Sequence, residues 1–162
     1  MKRFFVTIPI ILSVAFVFLA FTRSDNTTNV KCMIQMTNYT GEGAYVIISL
    51  IDSDGKYDQT LYVQGKDSEW YNEITEWWKF YGKRRIAIDA ISGASISGGA
   101  RTVSLLQIPS DKIGKGYSIR FESAVEDQEY HAQDVQFELN AENINNKIVG
   151  KGFIRYVRML PQ

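Results

Sequence analysis

Cysteine and histidine are almost missing from this chain of 162 residues, which has one of each. A single cysteine excludes an internal disulfide. Cys32, inside "KCMIQM", reads as a buried strand residue rather than a reactive thiol. The lone His131, in "EYHAQD", has no further histidines or cysteines at ligand spacing, so a metal centre lacks its donors. It also lacks a serine or cysteine motif to act with as a nucleophile pair, and an exposed strand histidine is expected. "DSDG" at 52–55 begins like a calcium loop, but the twelfth position, where a carboxylate is required, is Val63. It is read as a hairpin turn. Acidic and basic residues balance at 18 each, and no basic cluster is present, which argues against phosphate-led nucleic-acid binding. There is no internal repeat and no low-complexity tract.

Long apolar runs are absent as well, with one exception. Lys2 and Arg3 precede "FFVTIPIILSVAFVFLAF", Phe4 to Phe21, and the polar "TRSDNTTN" follows. Basic residues leading an apolar stretch mark residues 1–24 as a signal peptide or an N-terminal membrane anchor. As a helix the run would span about 27 Å, a length between the two readings. Either implies export, to the periplasm or to the periplasmic face of the inner membrane. Without residues 1–24 the chain keeps 15 basic against 18 acidic side chains, a net charge of −3. Residues 25–29 read as a polar tether and 30–162 as a single domain, long enough for a real core.

That domain is written mostly in strands. Short runs rich in β-branched and aromatic residues lie between turn signals at 30–36, 44–52, 59–65, 84–90, 101–108, 117–125, 132–139 and 152–159. In several, only alternate positions are apolar (Ile119 and Phe121; Val135, Phe137 and Leu139), as in a sheet with one buried face. One segment departs from this. "DSEWYNEITEWWKFYG", residues 67–82, sets Trp70, Ile74, Trp77 and Tyr81 at helical spacing, with Asp67 or Ser68 to cap its start and Gly82 its end. The pattern predicts an antiparallel β-sandwich with one short inserted helix. The helix carries more aromatics than one buried stripe requires, and the surplus, Trp78 or Tyr71, is a candidate for stacking on a flat ligand or docking a partner.

The most unusual stretch is "DAISGASISGGA", Asp89 to Ala100. It combines small side chains, three glycines and several hydroxyls. It reads first as a structural turn, and otherwise as a peptide from which a hydroxyl can be modified. A phosphate-cradling nest is conceivable, but the spacing and lysine of a nucleotide loop are missing. The stretch resembles the acceptor motif of covalently flavinylated exported proteins. Asp89, Ser92, Gly93, Ala94 and Ser95 match in order, and the acceptor hydroxyl would belong to Ser97. That resemblance implies FMN joined through its phosphate by a flavin transferase, with Trp77 or Trp78 beside the ring.

A second likeness spans roughly Gly43 to Met159. The order of a glycine-led strand, an Asp-Gly hairpin, the Trp-Trp helix, "DAISGAS", and "YSIRFESAVEDQEYHAQDVQFEL" before "GKGFIRYVRM" resembles the predicted periplasmic family called domain of unknown function 2271. The likeness implies an exported sandwich of the immunoglobulin-like sort. It also implies association with flavin transferases and membrane proteins of the PepSY type, in sets that suggest electron transfer or iron acquisition. No convergent acids, nucleophile pair or metal ligands accompany it, so the expected role is a non-catalytic accessory of a membrane redox or transport protein. The alternative is a cofactor-free binding or scaffolding module in which Tyr71 and Trp78 face the partner.

Overall fold

The computed structural model describes residues 26–84 and 87–162; the apolar run at 4–21 lies outside them. The chain forms β1 (Thr27–Met36), β2 (Tyr45–Ile51), β3 (Tyr57–Gln64), a 3-10 turn (Ser68–Glu73), α1 (Thr75–Arg84), β4 (Ser92–Gly93), β5 (Arg101–Pro109), β6 (Ser118–Ala124), β7 (His131–Glu138), β8 (Lys147–Val149) and β9 (Ile154–Pro161). These make two sheets. The first has the order β5-β1-β9-β8 and the second β4-β3-β2-β6-β7. All pairings are antiparallel except β3 with the two-residue β4. The expected antiparallel sandwich with one short helix is the fold.

Side-chain alternation explains which faces meet. On β1, Val30, Cys32, Ile34 and Met36 are fully enclosed while their neighbours face outward. They pack against Val46, Ile48, Leu50, Ile119 and Phe121 of the second sheet. β2 does not alternate, because both its faces are covered. Its other face, with Ile47, lies in a second cluster with Val63, Tyr71, Ile74, Trp77 and Ile88, under the helical segment. Three layers result: sheet, sheet and helix.

Three local expectations change. The predicted helix over 67–82 is a 3-10 turn followed by α1. Asp67 does cap the start, its Oδ1 accepting from the Glu69 amide at 3.1 Å. Gly82 is not the end, since α1 runs on to Arg84. A side chain at position 82 would begin 3.1 Å from the Trp78 indole, so the glycine serves close packing rather than termination. The strand expected over 84–90 is not formed by its described residues: Arg84 ends α1 and Asp89 opens a 3-10 turn (Asp89–Ile91). Ile88 and Ile91, three apart, both turn toward the helix-side cluster, a spacing that a strand would split between two faces. β1 also begins earlier than the predicted domain, drawing Thr27 to Asn29 of the tether into pairing with Pro109 to Gln107.

Candidate functional site

The stretch from Ser92 to Ala100 is a strap that crosses from one sheet to the other. At its start Ser92 and Gly93 lie parallel to Val63 and Gln64 of β3, and the Gly65 amide donates to the Gly93 carbonyl at 2.7 Å. At its middle Ile96 forms a two-way bridge with Ala44 (2.8 and 3.0 Å) and buries its side chain in the inter-sheet core. The Tyr39 hydroxyl donates to the Ile96 carbonyl and accepts from the Ala44 amide, fixing the bridge from the side. At its end the Gly99 amide donates to the Thr37 carbonyl at 2.7 Å and leads into β5. Gly99 adopts φ +71°, which favours glycine, and a Cβ at Gly98 would stand 2.0 Å from the Tyr39 carbonyl oxygen. The small residues are therefore demanded by close backbone approach.

With Ile96 turned inward, Ala94, Ser95 and Ser97 are exposed. They form one wall of a shallow groove of about 370 Å³ whose other wall includes Tyr62, Gln64, Arg101 and Ser104. Gly93 also lines this groove; Asp89 and Ser92 lie outside it. Asp89 is exposed, and its carbonyl accepts from the Ser92 hydroxyl at 3.3 Å. The structure does not bring Trp77 or Trp78 to Ser97. Trp77 is fully buried, edge-on to Tyr71 at 5.2 Å and stacked on Tyr81 at 4.5 Å, and its Nε1 donates to Thr60 Oγ1 at 2.9 Å. Trp78 is half-buried and leans on Tyr81. Tyr71, expected as a surplus surface aromatic, is instead core: it is 3% exposed and its hydroxyl donates to the Gly65 carbonyl at 2.8 Å. His131 is half-buried rather than exposed, edge-on to Phe153 at 5.0 Å. Cys32 is fully buried, and burial pushes its thiol up to about 12.

A larger cavity opens on the other side of Tyr62. It is a cleft of about 690 Å³ between β3, α1, the Ile88–Ile91 turn and the edge of β5. Leu61, Phe80, Tyr81, Ile88, Ile91 and Leu105 make most of its wall apolar. Asp58, Arg84 and Gln107 add polar groups, and the Arg84 guanidinium sits 4.7 Å over the Phe80 ring. The size and the mix of apolar wall with few polar groups match a small-molecule site.

Sequence reading missed a third feature, a buried polar cluster under the helical layer. Glu122 of β6 is fully enclosed. Its Oε1 accepts from the Tyr57 hydroxyl at 2.8 Å and its Oε2 from the Tyr130 hydroxyl. Arg120 lies 5.1 Å over the Tyr57 ring and donates from Nε to Gln136 at 2.7 Å. Burial pushes the Glu122 carboxyl up to about 7, against the opposing pull of both phenols and of Arg120. Burial and the carboxylate together push the two phenols far above their ordinary value. Ser49, paired with Arg120 across the strands, is buried with its hydroxyl unpartnered. In sequence, Arg120 and Glu122 look like the solvent face of a one-sided strand, and only the helix layer reverses that.

Among the described residues no three or more His, Cys, Asp or Glu side chains gather as metal ligands, and no helix is long and apolar enough to cross a membrane. The class is thus a layered β-sandwich with an apolar cleft at one edge. Residues 27–156 match the family model described as predicted periplasmic protein (DUF2271), and the chain belongs to that family. No curated protein and no solved structure matches it.

Proposed function

We propose that the protein is a non-catalytic extracytoplasmic binding module whose cleft takes a flat, mostly apolar small molecule bearing an anionic group. One observation carries this reading: a cleft of about 690 Å³ with aromatic and aliphatic walls and Arg84 among its lining. The family's periplasmic description supports the compartment. Anilinonaphthalene sulfonate, an aromatic anion, is the probe. It should bind saturably at one site, and Arg84→Glu or Leu61→Ser should weaken binding at least about tenfold, the effect expected for one lost charge-assisted contact or one polar group left facing the ligand. Unsaturable binding by the folded protein, unchanged in both variants, would overturn the reading.

A second reading is favoured by the exposure of Ser97 on the lip of the smaller groove. Here the protein carries FMN, esterified by a flavin transferase to the Ser97 hydroxyl, and serves a membrane-associated redox or iron-uptake system. The residues present suit such a group. Ser97 offers the hydroxyl, Tyr62 an aromatic wall, and Gln64 and Arg101 hydrogen-bonding side chains. A bound flavin would supply one- and two-electron redox chemistry, and the chain's own residues would orient and shelter it. Ile96 anchors the strap, so a transferase meeting the folded protein has access to the Ala94–Ser95–Ser97 face alone. Protein exported in the presence of a competent transferase should keep flavin fluorescence through denaturing electrophoresis, and Ser97→Ala should abolish it. A bare intact mass for the wild-type chain would end this reading and leave the cleft untouched.

A further inference from the structure

The first sheet is sorted by charge. Its four strands hold five basic residues, Lys31, Arg101, Lys147, Arg155 and Arg158, and not one aspartate or glutamate. All 18 acids of the chain lie elsewhere, although the chain from residue 25 onward is net negative. The register places three of the cations, Lys31, Lys147 and Arg158, beside apolar or aromatic side chains on the outer surface. Met33 stands between Val103 and Arg158, and Arg158 is opposite Lys147. One row away Lys31 stands between Leu105 and Leu160. On the opposite flank Tyr156 is paired with Val149, and Lys147 lies 4.2 Å over its ring. The large apolar side chains most exposed among the described residues are Val103 (60%), Leu105 (54%), Val149 (68%) and Leu160 (44%), and all four belong to this sheet.

We propose that this outer face docks flat against an anionic phospholipid surface. A second copy of the chain is the poorer occupant. A two-fold contact would set the same cations against each other, with no acid on these strands to offset them. A bilayer suits the mixture, because side chains of moderate apolar size can enter the headgroup layer while the cations beside them meet phosphates. Placement agrees. β1, an inner strand of this sheet, starts at Thr27, and only residues 22–26 separate it from the apolar run ending at Phe21. That stretch reaches no further than about 20 Å, so whatever holds the run at a membrane holds this sheet within reach of it. Leu105 also lines the cleft, so the docked edge borders the cleft.

The test uses the full chain with an environment-sensitive thiol probe at Val149→Cys. The native Cys32, fully buried, leaves the introduced thiol as the reactive one in the folded protein. With vesicles of phosphatidylcholine mixed with phosphatidylglycerol the probe emission should shift to the blue, and high salt should reverse the shift. Phosphatidylcholine alone should leave it unmoved even where the N-terminal run inserts. A probe at Asp54→Cys, in the β2–β3 turn of the other sheet, should not respond. Each basic side chain near such a surface contributes roughly fivefold to partitioning, so the pair Lys31→Glu and Arg158→Glu should lower it by more than about tenfold. Should that pair fail to fold, Lys31→Gln with Arg158→Gln gives the same direction at smaller size. An unshifted probe on anionic vesicles, or an equal shift on neutral ones, would overturn the proposal, as would protection of Val149 by an acidic protein in place of lipid.

Discussion

At Glu122 the fold encloses a carboxyl that water would leave ionised above its ordinary range. Its value rises from 4.5 in the unfolded chain to about 7 in the folded one, chiefly through burial. Between those values the native state binds more protons than the unfolded state, so this residue lowers stability as pH rises through the window. The full effect is about 3 kcal/mol at most, at roughly 1.4 kcal/mol per pH unit. Glu122→Gln should therefore be more stable than the wild type at pH 8, close to it at pH 4.5, and flatter in between. Thermal unfolding followed across that range checks it; parallel curves would show that Glu122 is not the group responsible. Ser49, with its hydroxyl buried and unpartnered beside Arg120, adds a second unmet polar group to the same place. Neither was legible in the sequence. Alternation along "SIRFESA" correctly assigned Ile119 and Phe121 to the core, but it carries no information about a third layer over the opposite face.

At the scale of elements the strap is the informative case. Its small residues mark it out in the sequence, yet the cause lies in what it touches. Gly98 passes under the Tyr39 carbonyl, and Gly99 makes the turn into β5. The decisive residue is Ile96, the one large side chain among Ser, Gly and Ala, which pins the segment to the core. Ile96→Ala removes that anchor and should cost about 2–5 kcal/mol of unfolding free energy, as for other large-to-small core changes. Urea denaturation measures it, and a loss under about 0.5 kcal/mol, the range of surface substitutions, would show that the backbone bridge alone holds the strap. The helical segment was read well for its buried stripe, Ile74 and Trp77, and less well for its extent. The periodicity of 3.6 hardly separates a 3-10 turn from an α-helix over six residues, so Tyr71 was misjudged as surface. The strand expected over 84–90 failed for a related reason. Alternating "RRIAIDA" has the composition of a strand, but the pull of the helix-side cluster on Ile88 and Ile91 prevails over local propensity.

Across the whole molecule, the two sheets and their inner faces follow from the alternation of apolar residues, and the sandwich was legible for that reason. The layer made by α1 and the preceding turn was legible as a helix but not as a lid over β2, β3 and β6. The cleft at its edge, where β3, α1 and β5 converge, depends on contacts between segments far apart in the chain, and no local pattern records it. The charge sorting of the first sheet is visible only once strand order is known, because its four strands come from both ends and the middle of the sequence. The five cations of that sheet stand on strands that carry no acid, which is the asymmetry the proposed docking face rests on.

The same strand order bears on how the chain matures. β1 lies between β5 and β9, so it finds its partners only once residues 101–109 and then 154–161 are in place. Pairing across such distances in sequence is slow. The second sheet, whose β2, β3, β6 and β7 all lie within residues 45–138, has its partners before β9 is available, so the first sheet is the one that closes last.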